Sequence, residues 1–362
     1  MRQIRISIAT IVTILICIGI VMIFSSSGVY ARQELKQTTY FLNRHLVFLV
    51  IGFILTFSIM ALDYRDLRKY AKPMLIITIA MLVFVLFPGI GKITYGARRW
   101  FSFGPINFQP SELAKITMLI YVADFLARKK GKIASFKEGF LPIILILGVV
   151  SVLILKQPDL GNVVLIASIT LIMIFLAGAR VSHILSLGLL SLPALYILVF
   201  KVPYRLKRIV AFLDPWQDSQ GAGFQLTQSQ IALGSGGVFG VGLGKSMQKL
   251  FYLPAAHTDF IFSIIGEELG LIGTFVILIL FIAFIWQGAR IVKRTTNPFG
   301  YFLAVGIVSM LGLQAVVNLG VSIGAFPTKG LPLPFISYGG SALIFNMMAV
   351  GLLLNISRIE DL

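Results

Sequence analysis

The residue with the strongest claim to chemistry is Asp259, in His257-Thr258-Asp259-Phe260, where a long polar stretch gives way to an apolar run. A carboxylate there suits a general base acting on a hydroxyl. Thr258 or Asp259 can equally cap the helix that begins at this point, and the two roles are compatible. A helix N-terminus would hold Asp259 near the ordinary aspartate pKa of about 3.9, ionised at neutral pH. Glu267 and Glu268 follow, about 12–14 Å further along a helix, which is too far to share a proton with Asp259. They point about 100° apart, so pairing with Lys115 or with a donor from another helix is their simplest use. In Gln109-Pro110-Ser111-Glu112-Leu113-Ala114-Lys115, Ser111 can cap a helix. The i, i+3 spacing puts Glu112 and Lys115 on one face, either as a structural pair or as substrate contacts.

Three basic clusters suit an anion such as a diphosphate, or a lipid headgroup: Arg98-Arg99-Trp100, Tyr204-Arg205-Leu206-Lys207-Arg208, and Lys245 with Lys249. Arginine adds bidentate contacts that lysine does not. Gly244-Lys245-Ser246 resembles the end of a nucleotide-binding loop, but Phe239 stands where that loop requires glycine, so ATP binding is rejected. His45, His183 and His257 have no metal-ligand spacing, and the single Cys17 supports neither a disulfide nor a thiolate centre.

Lipid must be the solvent for most of the chain that positions these groups. Of 362 residues, 57% are hydrophobic and 12% charged, too few charges to clothe a soluble fold. Apolar runs at about 6–24, 46–62, 74–88, 113–126, 141–155, 160–179, 181–200, 260–286, 300–320 and 341–357 predict an all-α polytopic membrane protein of ten transmembrane helices. The third to fifth runs are short, and the eighth is long enough to tilt or project. The first exceeds the apolar core of a signal peptide and is kept as a span. Lys and Arg in the short loops favour both termini inside. The net charge of +17 therefore reads as topology signal and anionic-lipid contact rather than nucleic-acid binding. The outer face carries 89–112, the Gly- and Pro-rich 321–340, and the large loop 201–258 between the seventh and eighth runs. Phe212, Trp216, Phe224, Phe239, Phe251 and Tyr252 argue that this last loop is folded. Residues 1–362 form one integral membrane domain.

Gly96-Ala97-Arg98-Arg99-Trp100, Gln109-Pro110-Ser111-Glu112, Gln157-Pro158-Asp159-Leu160-Gly161, Pro203-Tyr204-Arg205, His257-Thr258-Asp259-Phe260 and Ser337-Tyr338-Gly339-Gly340 together resemble the SEDS (shape, elongation, division, sporulation) family, in order across nearly the whole chain. Asp214-Pro215-Trp216, Gly223-Phe224-Gln225-Leu226-Thr227-Gln228-Ser229, Tyr252-Leu253-Pro254-Ala255-Ala256-His257 and Pro327-Thr328-Lys329-Gly330 resemble the division and sporulation branches more than the elongation branch. Ala255 departs from the glutamate common there.

The resemblance implies a peptidoglycan glycosyltransferase in the bacterial cytoplasmic membrane, acting at the septum. Such an enzyme polymerises lipid II onto a nascent glycan strand on the extracytoplasmic face. It works beside a class B penicillin-binding protein and other divisome membrane proteins. Asp259 matches the family's catalytic aspartate. Arg44, Arg99, Trp100, Gln109, Glu112, Lys115, Asp159, Arg205, Lys245 and Ser337 make up the expected substrate-binding set. Forming a β-1,4 bond from an α-linked sugar diphosphate requires inversion, with a base on the acceptor hydroxyl and cations on the departing diphosphate. This chemistry allows a divalent cation, Mg2+ or Mn2+, without requiring one. A lipid II flippase and a non-catalytic scaffold are the competing readings.

Overall fold

The chain is described by a computed structural model, covering residues 1–361 apart from Tyr95, Pro105 and Phe251. At Thr94, Phe103, Ile106, Ala194, Leu195, Leu198, Val199 and Tyr204 it describes backbone only; Phe251 and the Tyr204 side chain, named above, thus lie outside it. Helices α1 (Arg2–Leu35), α2 (Tyr40–Ala61) and α3 (Leu67–Phe84) lead into strands β1 (Gly91–Thr94), β2 (Ala97–Phe103) and β3 (Ile106–Phe108). Then come α4 (Pro110–Arg128), α5 (Leu141–Leu155), α6 (Leu160–Leu176) and α7 (Val181–Phe200). The large loop holds α8 (Pro203–Leu213) and α9 (Phe224–Ser235), and α10 (Ile261–Arg294), α11 (Pro298–Ser322) and α12 (Gly340–Ile359) complete the chain.

Each of the ten apolar runs coincides with a helix. Among the described residues, six helical stretches are long and apolar enough to cross a membrane: Arg2–Leu35, Tyr40–Ala61, Phe136–Leu155, Ile261–Arg294, Pro298–Ser322 and Gly340–Ile359. The chain is a polytopic helical membrane protein. Its centre is built from α4, α11 and α12, buried on most faces, with α2 against α12 and α6 against both α4 and α11. Glycines let these helices approach. A Cβ on Gly52 of α2 would meet Met347 of α12, and one on Gly306 of α11 would meet Leu119 and Met173. Lipid-facing apolar side chains cover the periphery, such as Ile76 on α3, Leu145 on α5, Leu189 and Leu190 on α7 and Ile279 on α10.

Two features depart from the expectation. The 89–112 segment contains an antiparallel β1–β2–β3 meander, so the fold is not purely helical. The aromatic Trp100, Phe101 and Phe103 bounded by the glycines at 96 and 104 are strand and turn signals within a stretch read only as a loop.

The eighth apolar run, expected as one long span, is broken. Gly270 has φ 67° and ψ −163°, a conformation essentially restricted to glycine. Breaking a helix inside apolar surroundings frees backbone groups that must find partners. Segment 237–242 supplies them: Leu271 and Ile272 amides donate to the Gly237 and Val238 carbonyls (2.9 and 3.3 Å), and Val241 and Gly242 amides donate to the Glu267 and Glu268 carbonyls (2.9 and 3.1 Å). Gly240 and Gly270 pass so closely that a Cβ on Gly270 would lie 2.3 Å from the Gly240 nitrogen.

The two glutamates beside the break lock the same segment in place. Glu267 accepts from the Ser246 hydroxyl and from the Met247 amide (2.8 Å). Glu268 pairs with Lys249 Nζ at 2.7 Å and accepts from Ser25 of α1 at 2.7 Å. Neither glutamate therefore pairs with Lys115: Lys249 and Ser25, a donor from another helix, hold Glu268, while the 246–247 turn holds Glu267. Lys249 is buried and neutralised rather than part of an outer anion cluster.

Gly270→Ala should destabilise the protein by about 2–4 kcal/mol. This is read as a fall in thermal unfolding midpoint in detergent, whereas Gly188→Ala, in open space on α7, should leave the midpoint unchanged or slightly raised. Lys249→Met alone should cost about 3–5 kcal/mol by stranding the Glu268 charge, and Lys249→Met with Glu268→Leu should recover most of it. An unaltered midpoint in the single variant would contradict the buried pair.

Candidate active site

The expected motifs converge on one irregular segment, 323–339, between α11 and α12. The Tyr338 amide donates to the His257 carbonyl at 3.0 Å, and Arg208 Nη1 of α8 donates to the Thr328 carbonyl at 3.1 Å. Asn318 of α11 donates through Nδ2 to two carbonyls, Asp259 at 2.9 Å and Leu331 at 2.8 Å. On the other side, Gly19 of α1 lets the helix backbone approach Phe335 and Ile336, where a Cβ would lie 2.5 Å from the Phe335 oxygen. Phe335 is itself held at φ 67°, an expensive conformation for a bulky residue, and it is buried.

Asp259 precedes the first residue of α10, and its carboxylate does not cap that helix. Thr258 does not cap it either, since its hydroxyl donates to the Ala255 carbonyl at 3.1 Å. The Asp259 carboxylate lies against Gly330, where a Cβ would come within 3.0 Å of Oδ2. Among the described residues nothing donates a hydrogen bond to it. Burial therefore dominates and pushes its pKa up to about 6, while the positive fields of Arg208 and then Arg99 pull the other way. The expected value near that of free aspartate is corrected: desolvation outweighs helix-terminus stabilisation. His257, next to it in the motif, packs its ring against Phe41 at 4.5 Å and against Tyr30 and Tyr338 at 5.9 Å. Burial lowers its pKa to about 4, so it is neutral at neutral pH.

A second polar cluster sits at the α4 and α6 N-termini. Asp159 caps α6 by accepting from the Asn162 amide at 3.2 Å, and its Oδ2 accepts from Asn162 Nδ2 (2.8 Å), Gln109 Nε2 (3.2 Å) and Ser111 Oγ (3.4 Å). Arg99 forks onto the carbonyls just before Asp159, Nε to Gln157 and Nη2 to Pro158, each at 2.7 Å. Ser341 of α12 joins this cluster to the meander, accepting from the Gln109 amide and donating to the Asn107 carbonyl. Gly161 packs near Leu331, which links the cluster to the 323–339 segment.

The remaining expected residues are distributed differently. Glu112 and Lys115 form the anticipated pair, at 2.7 Å, with both side chains buried within α4. Arg44 lies over Tyr40, its Nη1 donating to the phenol at 2.7 Å, and its charge also reaches Tyr338. Arg205 is half-buried on α8. Ser337 is buried and accepts from the Leu333 amide at 2.9 Å, closing a turn of the segment. Lys245 is exposed on the 237–250 segment, and Trp100 is half-buried on β2, paired with Lys92 across the meander.

Sequence reasoning passed over Asn318, Asn162 and Gly330. A buried amide inside an apolar run was the available signal for Asn318. It also passed over Lys329 beside Gly330, a half-buried ammonium whose pKa burial pushes below the ordinary lysine value. Among the described residues no three His, Cys, Asp or Glu side chains converge. Asp259 lies in the positive fields of Arg208 and Arg99, which are a poor donor set for a divalent cation.

The FtsW/RodA/SpoVE family model, described as a cell cycle protein, matches residues 5–361. The chain is 47% identical over 343 residues to a probable peptidoglycan glycosyltransferase FtsW of Geobacter metallireducens, covering 95% of this chain and 92% of that one. It is 45% identical over 348 residues to the stage V sporulation protein E of Bacillus subtilis, covering 96% and 95%. Among solved structures it superposes with TM-score 0.79 at 30% identity on a chain from a peptidoglycan synthase complex that coordinates polymerisation and crosslinking, covering 98% and 97%. With the rod shape determining protein RodA of Thermus thermophilus the TM-score is 0.72, also at 30% identity, covering 97% and 95%. The chain belongs to the FtsW/RodA/SpoVE family of cell cycle proteins.

Proposed function

We propose that the protein is a peptidoglycan glycosyltransferase that polymerises lipid II by inverting transfer, with Asp259 as general base. The observation that carries this reading is the Asp259 carboxylate, held against Gly330 with no hydrogen-bond donor among the described residues and within the fields of Arg208 and Arg99. In the reaction the acceptor 4-hydroxyl attacks the anomeric carbon of the donor. The new C–O bond forms as the bond to the diphosphate breaks, the proton passes to Asp259, and the electron pair leaves with the diphosphate. A carboxylate with few hydrogen bonds is a stronger base than a solvated one, and guanidinium groups stabilise charge on the leaving diphosphate. Arg99, Arg205 and Arg208 are suited to that second task.

Ten spans, both termini inside, place 201–258, 323–339 and the meander on the extracytoplasmic face, in the bacterial cytoplasmic membrane at the septum. The likeness to a chain of a synthase complex supports a crosslinking partner, a class B penicillin-binding protein. The flippase reading would need its buried charges free to line a polar path. Glu112 is instead paired with Lys115, Glu268 with Lys249, and Glu267 is saturated by the 246–248 turn.

Purified protein with its partner should polymerise lipid II, and Asp259→Asn, a near-isosteric change, should lower kcat by about 10²-fold or more while the variant still folds and binds the partner. Normal polymer from Asp259→Asn would overturn the assignment. The base must be ionised, and its pKa is raised to about 6, so kcat/KM of the wild type should fall as pH drops through about 6; a limb near pH 4 would contradict a buried carboxylate. The same shift has a stability sign. A carboxylate with a raised native pKa destabilises the fold where it is ionised, so Asp259→Asn should raise the unfolding midpoint at pH 8 and lose that advantage as pH falls from about 6 to below about 4.

A further inference from the structure

Strand β2 carries two adjacent arginines at a β-bulge: Lys92 pairs with Trp100 and Ile93 with Arg98, which leaves Arg99 as the extra residue. Arg99 is turned to the Gln157 and Pro158 carbonyls and contributes to the field at Asp259. Arg98 lines a hollow of about 340 Å³ between the β1–β2 hairpin and the α5–α6 junction. Lys156, at the C-terminus of α5, lines the same hollow, with Leu86, Ile93 and Pro158. No carboxylate is among its lining residues, and among the described residues neither cation has an acidic partner; Arg98 makes one long contact, 3.4 Å, to the Leu86 carbonyl. Two cations sharing one hollow without a counter-ion repel each other, and an anion relieves that repulsion.

The surroundings say what kind of anion. A second hollow, of about 330 Å³, lies on the outer side of α3, lined by Met81, Phe84, Ile90 and Phe101, with Ser102 as its polar edge. Phe84, Phe87, Ile90 and Ile93 are each at least half exposed, forming an apolar collar between the two hollows. A soluble phosphate has no use for that collar. An amphiphile does, because its chain covers the exposed aromatic and aliphatic surface while its phosphate meets Arg98 and Lys156.

We propose that this pair of hollows is a binding site for a lipid-borne phosphate, lined by residues other than those around the Asp259 carboxylate. The site does not depend on the reaction proposed above. The shared chemistry, a phosphate carried on an apolar chain, has two sources in such a membrane: the headgroup of an anionic phospholipid, and a polyprenyl diphosphate of the kind that lipid-linked glycosyl transfer releases.

The test is lipid retention by the full-length protein, measured by native mass spectrometry from micelles doped in turn with dioleoyl phosphatidylglycerol, undecaprenyl diphosphate or dioleoyl phosphatidylcholine. Wild type should retain an anionic lipid at least about tenfold better than phosphatidylcholine, the size of one charge-assisted contact. Arg98→Gln with Lys156→Gln should lose that preference, while Lys36→Gln, on an exposed turn between α1 and α2, should keep it. Equal retention of the two anionic lipids identifies a headgroup site, and retention of undecaprenyl diphosphate alone identifies a carrier site. Lysine in place of Arg98 preserves the charge and should retain part of the preference, so a fold defect is distinguishable from lost chemistry. An undiminished preference in the double variant, or none in the wild type, overturns the proposal.

Discussion

The arrangement depends on one buried amide. Asn318 spends both hydrogens of its Nδ2 on carbonyls from two separate segments, Asp259 ahead of α10 and Leu331 between α11 and α12. Neither segment is regular, and a backbone without secondary structure has no ladder to fix its position. The double donation replaces that ladder and sets the Asp259 carboxylate against Gly330, where any larger residue would meet it. The other ties to 323–339, from Arg208, from the His257 carbonyl and from the close approach at Gly19, surround the same point.

Function and stability oppose each other at this point. The carboxylate is partly buried and accepts no hydrogen bond from the described residues, a costly state for a charge. Arg208 and Arg99 offset part of that cost through space rather than by contact, leaving the oxygens free for a substrate hydroxyl. The other buried acids are treated differently. Glu268 has its ammonium, Glu267 its hydroxyl and amides, and Asp159 its three side-chain donors. Asp259 is thus set apart from structural carboxylates of the same chain by what it lacks.

Much of this was legible in the sequence, and the limits have physical reasons. Apolar runs located the long helices, because length and hydropathy are properties of each segment alone. The pairing of Glu112 with Lys115 followed from helical spacing. The break at Gly270 was not legible, since a glycine in an apolar run is ordinary until another segment docks on it, and that segment lies some thirty residues away. The same non-local docking removed Lys249 from the outer anion clusters and gave it to Glu268. The raised pKa of Asp259 was missed because local sequence reports a helix terminus but not desolvation by three distant elements. Asn318 looked like one polar residue among apolar ones, and its importance lies entirely in which carbonyls it reaches.

The most direct test is the rate of lipid II polymerisation by Asn318→Ala, compared with wild type at matched amounts of folded, partner-bound protein. Asn318 touches the Asp259 backbone and not its carboxylate, so a role in positioning predicts a kcat at least about tenfold lower, with substrate KM little changed. A folded Asn318→Ala protein that polymerises at the wild-type rate would contradict the account, because the carboxylate would then be placed by something other than this clamp.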